Sequence, residues 1–294
     1  KRKSFNQLST NSSSNNNLNS STSNSPSNML LSYVIPEVKY DPHPQIVSEY
    51  QEEIFQTLKD LEFSFRYNPN YMELQDDVNE KMRAILIDWL IEVNYKFKLL
   101  HETLFLTVNL VDRYLSMKKV SKNKLQLIGV TALFIATKYE EIYPPDLSKL
   151  VYVTDNACTK EEILDLEIDM MKTLEFNVTV PSVLRYFDFI QLRFNIQGVE
   201  ADKCQYLMFL SLLDHRLKKY SNFILASAVA MVICPQFKKN ILNFYGRKER
   251  YGDIIEAASE IGRYSKVANE KSFTLQSVKK LFSLGKFHQV ATML

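Results

Sequence analysis

Six glycines in 294 residues, about a third of the ordinary ~7% usage, restrict this chain more than any other feature. Phosphate-cradling loops, nucleophile elbows and hairpin-dense sheets all need glycine where φ is positive. No GxGxxG, P-loop or GxSxG run occurs here. Helices need little glycine, so an all-α fold is expected. The chain is 46% hydrophobic, enough for a real core, and its length suits one large domain or two ordinary ones.

Other function classes fall away on residue counts. Lys and Arg number 36 against 34 Asp and Glu, and a net charge of +2 argues against a protein defined by binding nucleic acid or a membrane surface. Cys158, Cys204 and Cys234 lie far apart and are odd in number, which fits a reducing, intracellular compartment without a disulfide framework. His43, His101, His215 and His288 never take zinc-site spacing, so no metal or cofactor is expected. The longest apolar run, Leu225 to Cys234, is interrupted by serine and followed by Pro235, too short to span a bilayer.

Along the chain, Ser9 to Asn28 is Ser, Thr or Asn except for Leu18 and Pro26, and cannot offset its ordering entropy. Residues 1–40 therefore read as a disordered tail, with Ser25-Pro26 a minimal proline-directed phosphorylation site or an ordinary dipeptide. Residues 41–80 hold a leading helix, with Ile46, Tyr50, Ile54, Leu58 and Leu61 at three- and four-residue steps, and a loop. A first bundle follows over 81–180, with helices at 79–99, 102–117, 122–139, 147–153 and 159–174. Asp77-x-x-Glu80 and Thr159-x-x-Glu162 read as capping boxes. The extended run Asn177 to Pro181 separates it from a second bundle over 181–294, with helices at 183–194, 202–213, 223–237 and 251–269 and a looser tail from Ser272.

A few charges sit on apolar faces. Arg83 projects among Leu86, Ile87 and Leu90, and Asp112 falls between Phe105 and Val108, which predicts a buried structural pair. Lys138 lies near Leu127 and Phe134 on a helix apolar nearly all round, whose Gly129, Ala132 and Ala136 admit close neighbours. Glu167 lies inside the arc of Ile163, Leu164, Met170, Met171 and Leu174. These two could form an internal bridge or offer their groups to a partner. Met82, Ile85 and Trp89, with Glu92 continuing the row, read either as core packing or as a shallow groove for a peptide.

Three motifs then carry a resemblance. Met82-Arg-Ala-Ile-Leu-Ile-Asp-Trp-Leu90 resembles the signature helix of the cyclins, and Thr137-Lys-Tyr-Glu-Glu-Ile-Tyr-Pro-Pro145 is similar to a second motif of that family. Val153-Thr-Asp-Asn156 with Thr159-Lys160 is similar to a third, in the same order; together they cover residues 45–180. Tyr139, Val47-Ser-Glu-Tyr50 and the tail from Ser277 to His288 resemble the B-type, mitotic group.

The resemblance implies two tandem five-helix cyclin boxes, found in nucleus and cytoplasm, in a non-catalytic subunit that activates a cyclin-dependent kinase. It implies that Arg83 and Asp112 are the internal ion pair. It places Lys138 and Glu167 at the kinase contact, with Tyr50, Ile135, Tyr139, Met171 and Phe176 beside them. Met82, Ile85, Leu86, Trp89, Glu92, Leu125 and Gln126 match a patch that docks Arg-x-Leu motifs of substrates and inhibitors. The only Arg-x-x-Leu run, Arg83 to Leu86, lies inside a helix, so a destruction signal of that kind is expected either upstream of Lys1 or to have been removed. A cyclin-box transcription factor would bring promoter binding and a zinc ribbon, and the three scattered cysteines do not have ribbon spacing. A helical scaffold would not account for the motif row.

Overall fold

The structure, a computed structural model, describes residues 47–245 and 251–294. The chain divides at Val34 and Ile35, and every element below belongs to the second unit. The expected tail over 1–40 and Ser25 lie outside the described residues. Among the described residues there are helices and turns and no strand.

A leading helix α1 (Gln51–Ser64) follows a 3-10 turn at Ser48–Tyr50. The first bundle comprises α2 (Glu80–Phe97), α3 (His101–Met117), α4 (Leu125–Glu140), α5 (Leu147–Val153) and α6 (Lys160–Thr173). The second comprises α7 (Val183–Phe194), α8 (Gly198–Leu213), α9 (Asn222–Ile233), α10 (Lys238–Tyr245) and α11 (Tyr251–Ala268). A last short helix, α12 (Ser277–Phe282), leads into 3-10 turns at Gly285–Phe287 and Val290–Thr292.

Local chemistry sets most boundaries. Thr159 and Glu162 form the expected capping box, Thr159 Oγ1 accepting from the Glu162 amide and Glu162 Oε2 from the Thr159 amide. The other expected box is not formed. Asn79 caps α2 by accepting from the Met82 amide at 3.0 Å, while Asp77 accepts from the Lys122 amide at 2.8 Å, tying the loop before α2 to the turn before α4. Lys98 ends α2 in the left-handed region, at φ 55°.

Each bundle is built round one helix that is apolar nearly all round. In the first it is α4, packed against α2, α3, α5 and α6. Gly129 permits the close approach to α2, because a Cβ there would come to 2.8 Å from a Leu86 methyl carbon. In the second it is α9, buried from Phe223 to Met231 and surrounded by α7, α8, α10 and α11. The stretch after Lys238, short for a helix with its connections, does form the eight-residue α10 and buries Ile241.

Two segments pack where periodicity did not place them. The leading helix lies on the second bundle: Phe55 meets the rings of Tyr186, Phe189 and Phe223 edge-on at 6.0, 5.5 and 5.7 Å. Glu62 also accepts from the Asn222 amide at 2.5 Å. The tail, expected to be loose from Ser272, is ordered through α12. It packs against α2 and α8, with Val278 and Phe282 buried and Phe282 against Tyr206 and Phe209 at 5.7 and 5.1 Å.

Candidate functional site

Arg83 and Asp112 meet in the interior. Arg83 Nε donates to Asp112 Oδ1 at 2.6 Å and Nη2 to Oδ2 at 2.8 Å, a bidentate pair between α2 and α3. The hydroxyls of Tyr71 and Tyr67 donate to the same carboxylate at 2.7 and 3.3 Å. The pair also reaches the second bundle. Arg83 Nη1 donates to the Leu212 carbonyl at 2.9 Å, and Lys218 Nζ stands 3.7 Å from Asp112 Oδ2. Burial acts to raise the Asp112 carboxyl, but Arg83 and Lys218 outweigh it and hold the group at about 2. Burial lowers Lys218 to about 8.

A second constellation lies where α4 ends beside α6. Lys138 and Glu167 are paired at the surface, and the Lys138 ammonium stands 4.1 Å from the centre of the Phe134 ring. One side of α6 buries Ile163 and Met170. The neighbouring stripe, Leu164, Glu167, Ile168 and Met171, runs at helical spacing, and Leu164 and Ile168 are exposed while Met171 is half-buried. Tyr139 is half exposed, its hydroxyl against Thr179 Oγ1. Phe176 is 67% exposed in a left-handed turn after α6. Ile142 and Tyr143, just beyond α4, are 87% and 90% exposed. Tyr50 is exposed ahead of α1, whereas Ile135, on the inward side of α4, is only 4% exposed and belongs to the core rather than to this surface.

The third row lies along α2. Ile85 is 52% exposed and Met82 and Trp89 are half-buried against the core. Leu86 and Leu125 are buried, and Gln126 is half-buried. Glu92 is exposed at the end of the row and pairs with Lys280 of α12 at 3.0 Å. Asp88, one turn earlier, accepts from the Ser277 amide at 3.0 Å, and burial pushes its carboxyl up.

Helical-wheel reasoning did not find several of these partners. Tyr67, Tyr71 and Lys218 come from loops and 3-10 turns, where no period constrains a side chain. Ile168 could have been found, since it stands four residues after Leu164 on the same face. A cleft of about 840 Å³ between α1, α3 and the 179–183 linker contains Asp112 and Lys218 in its wall. Among the described residues no group of three His, Cys, Asp or Glu side chains is arranged to hold a metal ion, and no helix is long and apolar enough to cross a membrane.

Comparison with known proteins follows the same lines. Residues 53–179 match the family described as Cyclin, N-terminal domain. The G2/mitotic-specific cyclin-B of Marthasterias glacialis is 35% identical over 257 residues, covering 85% of this chain and 65% of that protein. An A3-1 cyclin of Arabidopsis thaliana is 38% identical over 261 residues, covering 85% of this chain and 73% of that one. The solved structure of a viral cyclin from herpesvirus saimiri superposes with a TM-score of 0.64 at 18% identity, over 72% of this chain and 97% of the other. This chain spans roughly half to two thirds of the length of the B-type relatives it matches. The two helical bundles and the motif row on α2 and α4 thus sit in a chain that belongs to the cyclin family and has B-type, G2/mitotic-specific cyclins among its relatives.

Proposed function

We propose that this protein binds a cyclin-dependent Ser/Thr kinase and activates it allosterically at G2/M, acting in nucleus and cytoplasm and performing no chemistry of its own. The observation that carries the reading is the α4–α6 face. There a surface ion pair, Lys138 with Glu167, is bordered by exposed Leu164, Ile168, Tyr139 and Phe176 on an otherwise packed bundle. Large apolar side chains left out beside a charged pair are the composition of a protein interface. The B-type relatives, named for G2 and mitosis, support the timing.

The mechanism is a population shift. A kinase acts when the glutamate of its mobile helix reaches the lysine that orients ATP and its activation segment is in place. A rigid surface complementary only to that arrangement stabilises it, and moving from 1:99 to 99:1 takes ~5.5 kcal/mol of differential binding. An interface of roughly 2,000 Å² is large enough to supply it. The row Met82, Ile85 and Trp89, floored by Leu86 and Leu125 and flanked by Gln126 and Glu92, then docks Arg-x-Leu motifs of substrates and inhibitors, the aliphatic side chain on the row and the cation at Glu92.

The test is phosphorylation of a short peptide by the catalytic subunit with and without this chain. Wild type should activate, and Lys138→Ala with Glu167→Ala should cut binding and activation at least tenfold with the melting temperature unchanged. Full activation by that folded double variant would show the interface to be elsewhere.

A further inference from the structure

The acid at the end of the docking row already has an internal partner. Lys280 Nζ lies 3.0 Å from Glu92 Oε1. The backbone that carries it is held in place, because Val278, Leu281 and Phe282 are buried and the Ser277 amide is bonded to Asp88. The Lys280 side chain, by contrast, is 69% exposed on its own four-carbon stem. Asp88 has one oxygen committed to Ser277, which leaves Glu92 as the exposed carboxylate beside Met82, Ile85 and Trp89.

We propose that Lys280 is a built-in competitor for the cation of a docking peptide, so that α12 sets how strongly the row on α2 selects basic segments. The proposal rests on the docking reading given above. A peptide guanidinium approaching Glu92 must displace the Lys280 ammonium or share the carboxylate with it against like-charge repulsion. Arginine is favoured in that exchange over lysine, because its planar fork can take both carboxylate oxygens where an ammonium acts as a point charge. A neutral peptide that uses only the apolar row is indifferent to Lys280. The Lys280–Glu92 pair is exposed, so its effect is small and depends on salt.

The test uses the full chain and two fluorescent peptides, one with an Arg-x-Leu motif and one with citrulline, a neutral isostere, in place of arginine. Lys280→Met should tighten the arginine peptide about two- to five-fold and leave the citrulline peptide unchanged. The difference should close near 1 M salt, where the screening length is about 3 Å. Lys280 lies on the surface, so the variant should melt with the wild type. If the change moves both peptides equally, or neither, while the arginine peptide still binds better, Lys280 does not compete and the docking reading stands. If neither peptide binds wild type or variant while kinase activation persists, the docking reading fails and the proposal with it.

Discussion

At Asp112 one carboxylate is approached by Arg83 from α2, by Tyr67 and Tyr71 from the loop before it and by Lys218 from the second bundle. Removing the carboxylate leaves a buried guanidinium uncompensated, so Asp112→Asn should cost about 3–5 kcal/mol in chemical denaturation. The pH dependence has a definite sign. A carboxyl held at about 2 when folded and near ~3.9 when unfolded contributes stability that is complete above pH ~4 and is lost as pH falls toward 2. The wild type should therefore lose about 2 kcal/mol more than Asp112→Asn across that window, read from urea midpoints at each pH. Equal slopes would show that the pair carries no such linkage. Arg83 and Asp112 were legible from sequence because a charge on an apolar stripe requires a partner. Tyr67, Tyr71 and Lys218 were not, since they reach Asp112 from irregular segments.

Among the elements, α4 combines two requirements, being apolar nearly all round and close to α2. Gly129→Val should cost about 1–3 kcal/mol by overpacking against Leu86, and Leu86→Ala in the same chain should recover part of it. Additive losses in thermal melts would mean the two side chains do not meet. On α2, Trp89→Ala should weaken phosphorylation of motif-bearing substrates several-fold and leave a short motif-free peptide unaffected. Equal loss on both would assign Trp89 to the core. The longer helices were readable chiefly from their periodicity, reinforced by the caps Thr159 at α6 and Ser182 at α7. The six-residue α12 presents too few turns for a period to register, and its place is set by Phe282 entering the aromatic cluster of α8. Asp77 shows the same limit: its spacing fits a cap, yet the turn at Lys122 holds its side chain.

Across the whole molecule, the bundles meet directly, Phe105 and His101 of α3 against Phe209 of α8, and the segments before and after them add further ties. The leading helix lies on the second bundle through Phe55 and Glu62, and α12 returns to α2 of the first through Ser277 and Lys280. Arg83 bonded to Leu212 adds a direct tie between α2 and α8. The paired bundles were legible because two apolar helices, α4 and α9, lie on either side of an extended proline segment. The packing of the flanking segments was not, because an amphipathic face does not name the surface it covers.

The central claim is tested most directly by titrating this chain into a fixed amount of cyclin-dependent kinase catalytic subunit while following phosphorylation of a short peptide. The account predicts a saturable rise of at least a hundredfold at one chain per kinase, abolished by Lys138→Ala with Glu167→Ala. A kinase rate that stays at its basal value with a folded, binding-competent wild-type chain would contradict it.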